Sequence, residues 1–345
     1  MPAPVKVLLA EDSSLMRLVL SDIFAQQAGD FVLLDTAQNG KEALEKTCQL
    51  RPDVLLLDLF MPDYDGVFAI EEIMRACPTP ILLLTGASRQ QMPLVFEGLE
   101  KGAFDFLLKP QEADGGLREL APKLLEKVRQ VANINLYQLQ KRAGALNHHP
   151  HTFDTLRYKA VLIGASTGGT GAIEEILRTL PVNFPVPIVI AQHMPAGFIH
   201  SFADRLDKLS PLKVKVARLG EPLAEGVVYI LPGEYNSTLR QEGKKVVFDS
   251  TPQQYEAYNC PSVDALFLSG AAIYGSEAIA LLLSGMGRDG VQGMAALQQA
   301  AALNIAQDEA SSVIFGMPKE AIQQGLVQHV VPLQEIGFFL VGCLS

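Results

Sequence analysis

Glu11-Asp12 follows the apolar run Val5 to Ala10, and Asp58 closes the run Val54 to Asp58. Thr85-Gly86 and Lys109-Pro110 close two later runs. Three crowded carboxylates repel one another unless a cation joins them, and hard oxygen ligands with room for water suit Mg2+. A hydroxyl and an ammonium beside them are what a transferred phosphoryl group needs for charge compensation. Any one of these residues could merely cap a helix; the whole set at run ends is harder to dismiss.

A second constellation lies further along. Gly164-Ala165-Ser166-Thr167-Gly168-Gly169 opens a helical pattern, Gln192-His193-Met194-Pro195 follows one apolar run, and Ser284-Gly285-Met286-Gly287-Arg288-Asp289-Gly290 follows another. Gly-x-Ser-x-Gly is the form of a nucleophile elbow, though a glycine-rich turn at a helix start could also cradle phosphate. The spacing is neither G-x-G-x-x-G nor a P-loop, so the nucleotide reading loses its best support. A serine hydroxyl becomes a nucleophile when an imidazole takes its proton and a carboxylate orients that imidazole. Ser166, His193 and Asp289 supply those groups in an order different from the α/β-hydrolase order. His200 and His329 are rival bases; the first falls in a helical pattern and the second inside an apolar run, so both read as structural.

Positioning these groups requires parallel sheets. Five runs, Val5 to Ala10, Phe31 to Asp35, Val54 to Asp58, Pro80 to Thr85 and Phe104 to Leu108, alternate with amphipathic stretches. Near-continuous apolar strands belong to a parallel sheet covered on both faces, whose ligands gather at the strands' carboxyl ends. A second such pattern has runs at Ala160 to Ala165, Pro187 to Gln192, Val214 to Ala217, Val227 to Leu231, Ala278 to Leu283 and Val327 to Val331. Asn236-Ser237 and Glu242-Gly243 set off short β-prone runs that predict an inserted antiparallel hairpin. The expected fold class is α/β with two doubly wound domains: a (βα)5 unit at 1–125, a linker at 126–157, and a mainly parallel hydrolytic unit at 158–345.

Charge narrows the functions. Residues 1–125 carry 11 Lys+Arg against 19 Asp+Glu, residues 126–159 carry 6 against 2, and residues 160–345 carry 11 against 17. Two acidic bodies flanking a basic connector offer no basic face for nucleic acid. No apolar run approaches a membrane span, and the amino terminus passes from its first run into Glu11-Asp12 without a basic leader, so a cytoplasmic location is expected. Cys48, Cys77, Cys260 and Cys343 form no C-x-x-C pair and read as buried thiols in a reducing compartment. His148, His149 and His151 beside Pro150 read as solvated linker rather than a metal site.

Residues 1–125 resemble the receiver domain of two-component response regulators. The matching pieces are Ala10-Glu11-Asp12-Ser13, Leu57-Asp58-Leu59-Phe60-Met61-Pro62 with Asp65-Gly66, Thr85-Gly86, and Gly102 to Pro110. The resemblance implies phosphorylation of Asp58 by a histidine kinase and Mg2+ held by Glu11, Asp12, Asp58 and the Phe60 carbonyl. It also implies phosphoryl contacts from Thr85 and Lys109. Phe106 stands where that family places a rotating aromatic, and reads equally as core. Residues 160–345 resemble the catalytic domain of the chemotaxis protein-glutamate methylesterase. The Ser166 turn, Ile190 to Pro195, Pro261-Ser262-Val263-Asp264 and Gly285 to Gly290 carry that likeness. Cys260 stands where a basic residue is more usual.

By that resemblance Ser166, His193 and Asp289 form a triad, and Thr167 and Met286 assist the oxyanion. The implied activity is demethylation of γ-glutamyl methyl esters on methyl-accepting chemoreceptors, with methanol released, and deamidation of receptor glutamines. Phosphorylation would activate it, Mg2+ would serve only the receiver, and no cofactor is expected for hydrolysis. Implied partners are a chemotaxis histidine kinase and the receptors, with no nucleic acid and membrane association only through receptors. A DNA-binding regulator would need a basic helix-turn-helix output. A noncatalytic receptor-binding adaptor is the alternative.

Overall fold

The structure, a computed structural model, describes residues 3–86, 91–109, 117–132, 157–255 and 260–345. The chain divides into two compact units, Met1–Arg142 and Ala143–Ser345.

In the first unit β1 (Val5–Ala10), α1 (Ser14–Ala25), β2 (Phe31–Ala37), α2 (Gly40–Leu50), β3 (Val54–Leu57) and α3 (Gly66–Ala76) are followed by β4 (Ile81–Thr85), α4 (Met92–Glu100), β5 (Asp105–Leu108) and α5 (Leu117–Ala132). The strands form one parallel sheet in the order β2-β1-β3-β4-β5. β3 and β4 are buried at every residue, as VLLL and ILLLT require. Helix starts are fixed by side chains: Ser13, Asn39 and Asp65 accept the N–H groups of Met16, Glu42 and Phe68, answering donors a helix leaves unpaired. The sheet order reverses at β1 and β3, so the chain leaves their carboxyl ends in opposite directions and opens a crevice there.

Two expectations change in this unit. α5 runs to Ala132, through the first residues of the expected linker; Pro110 and the rest of that linker to 156, with His148, His149 and His151, lie outside the described residues. Cys48 and Cys77 are not separate thiols but a disulfide with their Cα atoms 5.4 Å apart. Packing of α2 on α3 brings them together across 29 residues, which no local spacing announces. Cys260 is exposed and Cys343 half-buried. Phe106 is buried on β5.

The second unit runs β6 (Ala160–Ala165), α6 (Gly169–Thr179), β7 (Ile188–Gln192), α7 (Ala196–Leu209), β8 (Lys213–Val216), β9 (Val227–Ile230), β10 (Asn236–Glu242), β11 (Lys245–Thr251) and α8 (Val263–Tyr274). It continues with β12 (Ala278–Leu282), α9 (Val291–Gln299), β13 (Leu303–Gln307), α10 (Met317–Gln323), β14 (His329–Val331) and α11 (Leu333–Leu344). Seven strands make a parallel sheet in the order β14-β13-β12-β6-β7-β9-β8. The expected hairpin is β10-β11, a separate two-stranded antiparallel sheet.

β13 is the strand the apolar runs did not announce. Its sequence LNIAQ buries Asn304 and Gln307. Asn304 donates to the carbonyls of Met294 and Leu326, and Gln307 accepts Ser284 N–H. The Asn304 amide N–H groups and both ends of the Gln307 amide are thus spent on partners, which makes their burial tolerable, while Asn304 Oδ1 is buried without one.

One core of the second unit lies where α8 and α9 cover the sheet, with Leu162, Val263, Leu266, Phe267, Leu282 and Met294 all buried. Phe267 is 0% exposed and faces the closest approach of α9 at Gly293. Phe267→Ala is expected to cost about 3–5 kcal/mol, measured by denaturant unfolding of the second unit's transition.

Candidate functional site

In the first unit the parallel register Ala10↔Leu57 carries straight into the site: Asp58 donates its N–H to Ala10 O at 2.9 Å, so Asp58 stands beside Glu11. Lys109 reaches the same place from the neighbouring side, its N–H bonded to Thr85 O. The Lys109 ammonium donates to Asp58 Oδ2 at 2.5 Å and lies 2.7 Å from Glu11 Oε2 as an ion pair that lacks a hydrogen bond's alignment. Burial pushes the Asp58 carboxyl up despite Lys109, and does the same to Glu11, where Asp58 adds repulsion. Burial opposes the Lys109 charge as well, but its hydrogen bond to Asp58 and its close pairing with Glu11 outweigh that and raise it. Two buried carboxylates sharing one ammonium leave the cluster a cation short.

The ligand atoms of Glu11, Asp12 and Asp58 lie within 4.8 Å of one another, and an all-oxygen set with an exposed Asp12 edge fits a hydrated Mg2+. Thr85 is buried at the end of β4, and Phe60 is half-buried with its N–H on Asp58 Oδ1. Arg17, not singled out from the sequence, donates to the carbonyls of Glu11 and Asp12 at 2.6 and 2.7 Å. It stiffens the acidic loop from the first turn of α1. A side chain that bonds only backbone has no sequence signature.

In the second unit the three motifs arrive at adjacent strand ends. Ala165 pairs with Gln192 and Gly164 with Leu282, so Ser166, His193 and the segment after β12 meet where the sheet order reverses. The ladder continues past the strands: His193 N–H donates to Ala165 O and Ser166 N–H to Ser284 O. Gly168 turns the chain with φ +77, and a side chain there would collide with Val313. Gly285 is glycine for a different reason: a Cβ would meet the Ser166 Cβ at 2.7 Å. The Met286 loop therefore lies directly against the serine.

Asp289 is 0% exposed and holds His193. His193 Nε2 lies 2.7 Å from Asp289 Oδ2, which also accepts Val263 N–H at 2.8 Å; Oδ1 accepts Ser262 Oγ–H at 3.1 Å and Asp264 N–H at 2.9 Å. Burial alone would raise the Asp289 carboxyl, but the His193 hydrogen bond and charge, with the α8 N–H groups, hold it below the usual range. With Nε2–H given to Asp289, the nitrogen free to take a proton is Nδ1. Among the described residues no hydrogen bond joins the Ser166 hydroxyl to His193, an arrangement common before substrate binds. Thr167 N–H likewise has no acceptor among the described residues, and Met286 is half-buried.

The rival histidines stand apart from this cluster in their own contacts. His200 is exposed on α7, and His329 is exposed on the edge strand β14, its ring tilted against Phe339. Sequence reasoning missed the residues that set the turns. Gln192 Nε2–H donates to both Ser166 O and His193 O, at 2.9 and 3.0 Å, and Ser284 Oγ–H donates to Thr167 O at 2.8 Å. Gln192 ends its run in the position of a strand-end polar residue, which was the available signal.

A receiver-type acidic site and a hydrolase-type site, each at a switch point of a parallel sheet, define a two-domain α/β response regulator with an enzymatic output. Residues 161–340 match the family described as CheB methylesterase, and residues 7–120 match the response regulator receiver domain. A protein-glutamate methylesterase/protein-glutamine glutaminase of Thermotoga maritima is 38% identical, with 96% of each chain covered. One of Archaeoglobus fulgidus is 38% identical over 99% of this chain and 98% of that one. The crystal structure of the Thermotoga maritima CheB methylesterase catalytic domain is similar at 41% identity and a TM-score of 0.53, covering 54% of this chain and 98% of that one. The chain belongs to the CheB methylesterase family.

Asp289→Asn keeps the shape of the buried carboxylate and removes its charge. It is expected to lower kcat by about 10^4-fold. Asp289→Ala leaves three α8 donors without an acceptor and is expected to cost about 3 kcal/mol of stability, read by thermal unfolding.

Proposed function

We propose that this protein is a phosphorylation-activated hydrolase that demethylates γ-glutamyl methyl esters on methyl-accepting chemoreceptors, releasing methanol, and deamidates receptor glutamines. The observation that carries the reading is the His193–Asp289 pair, at 2.7 Å, held at the strand end next to Ser166. The enzyme names of full-length relatives support it over a noncatalytic adaptor. In this reading residues 1–125 with the rest of α5 are the receiver, residues 158–345 the catalytic domain, and the segment between them the linker. The location is cytoplasmic; among the described residues no helix is long and apolar enough to cross a membrane.

His193 Nδ1 takes the Ser166 proton as Oγ attacks the ester carbonyl carbon. Negative charge develops on the carbonyl oxygen, where Thr167 N–H and a donor at Met286 receive it. The C–O bond to methoxide then breaks, and His193 returns the proton so that methanol leaves. Water, deprotonated by His193, attacks the acyl carbon; the bond to Ser166 Oγ breaks, His193 returns the proton to Oγ, and the glutamate carboxylate is freed. Asp289 keeps the imidazole oriented and balances its charge throughout. A glutamine side chain forms the same acyl-enzyme with ammonia as leaving group, a harder departure and a slower one.

In the receiver, Asp58 is the phosphoryl acceptor and a chemotaxis histidine kinase the donor. Glu11, Asp12, Asp58 and the Phe60 carbonyl would hold Mg2+, which supplies positive charge against the phosphoryl oxygens when bound. Lys109 and Thr85 contact those oxygens, and Lys109 leaves its place between Asp58 and Glu11 to do so. The added charge at Asp58 shifts the protein toward its active state.

Methanol release from methylated receptor membranes tests both halves. Ser166→Ala should reduce release on the order of 10^6-fold. Asp58→Asn should keep the basal rate and lose the stimulation that a small-molecule phosphodonor with Mg2+ gives the wild type. Release that survives Ser166→Ala, or none from folded wild type on a matched receptor, contradicts the reading.

A further inference from the structure

The motif Pro261-Ser262-Val263-Asp264 leaves one ionisable group without a role. Asp264 is 2% exposed in the first turn of α8. Its own N–H donates to Asp289 Oδ1 at 2.9 Å, while its carboxylate Oδ1 accepts Gly293 N–H at 2.8 Å, with Gly290 N–H directed at the same carboxylate. Gly290 is the N-cap of α9 and brings no capping side chain of its own. Asp264 therefore caps α9 from α8, holding Asp289 through its own N–H and the chain just after Asp289 through its carboxylate.

Charge sets a second constraint. Asp289 already accepts four donors and stays ionised, so a second full charge beside it in the interior is costly. Burial, reinforced by Asp289, pushes the Asp264 carboxyl up to about 7 against the lowering effect of Gly293 N–H. The other groups around it do not offset this. Tyr255, from the segment after β11, is buried and its phenol is raised by burial and by both carboxylates. α9, β6, β7 and β12 contain no ionisable residue; Arg240 and Glu242 of β10 are exposed, and Glu277 in the turn after α8 pairs with Lys159. His193 lies on the far side of Asp289, and Arg288, next to Asp289 in the chain, is exposed.

We propose that Asp264 is a positioning residue for the hydrolysis: with its own N–H on Asp289 Oδ1 and its carboxyl on the N–H groups of Gly290 and Gly293, it clamps the turn that carries Asp289. His193 then faces a fixed, singly charged carboxylate. When Asp264 ionises, the two acids repel within the clamp and the turn loosens. The proposal rests on the Ser166, His193 and Asp289 reading above.

The test is kcat and KM for methanol release by the full-length protein on methylated receptor membranes, from about pH 5 to 9. It compares wild type, Asp264→Asn and Asp264→Ala, with Ser166→Ala as the blank and thermal unfolding alongside. An asparagine can accept Gly293 N–H and donate to Asp289 but cannot ionise. Asp264→Asn should keep kcat within about threefold of wild type on the acid side of neutral, and should lack the downward bend that wild type shows on the alkaline side. Asp264→Ala should lower kcat by about 100-fold with KM nearly unchanged, as a displaced catalytic turn does. Superimposable wild-type and Asn profiles, or a folded Ala variant with wild-type kcat, overturn the proposal while Ser166→Ala remains dead. If the Ala variant does not fold, the Asn profile decides alone. An active Ser166→Ala would instead remove the hydrolase reading and this proposal with it.

Discussion

A carboxylate withdrawn wholly from water is tolerable only if its oxygens are answered by donors, and Asp289 meets that condition through one helix end and one imidazole. Isolated, the buried anion would cost several kcal/mol. Bonded to Ser262, Val263, Asp264 and His193, it ties the start of α8, the turn after β12 and the end of β7 into one unit. The direction of His193 follows from this, since its Nε2 lies 2.7 Å from Asp289 Oδ2. The elements that cover the sheet next to β6 are held by the same bonds, so the site and the core of the second unit depend on one another.

The receiver solves the reverse problem. There the buried charges are in excess, with Glu11 and Asp58 sharing Lys109, and both acids are pushed up by burial. The cluster is stable enough to fold around a lysine but gains from a cation and from movement of that lysine. A fully satisfied anion suits a group that must stay still through a reaction cycle, and an underpaired cluster suits a group that changes charge. The two units use the same sheet edge for opposite electrostatic ends.

Much of this was legible because parallel sheets write themselves plainly. Runs such as VLLL and AVLIGA cannot be surface strands, and the polar residues at their ends must converge. That logic placed Asp58, Thr85, Lys109, Ser166, His193 and Asp289. β13 stayed hidden because Asn304 and Gln307 break its apolar run, and their partners are backbone groups distant in sequence. Asn236 and Ser237 looked like a turn and begin β10. Arg17, Gln192 and Asp264 act through hydrogen bonds to backbone, which leave no periodicity, and the Cys48–Cys77 pairing arises from helix packing alone.

The central claim is that Ser166 is a nucleophile because His193, oriented by Asp289, takes its proton. Reaction of the full-length protein with a fluorophosphonate, followed by peptide mass spectrometry, tests it most directly. The account predicts one covalent adduct, on the peptide containing Ser166, and its loss in His193→Ala. An adduct on another residue, or undiminished labelling of Ser166 in His193→Ala, would contradict it.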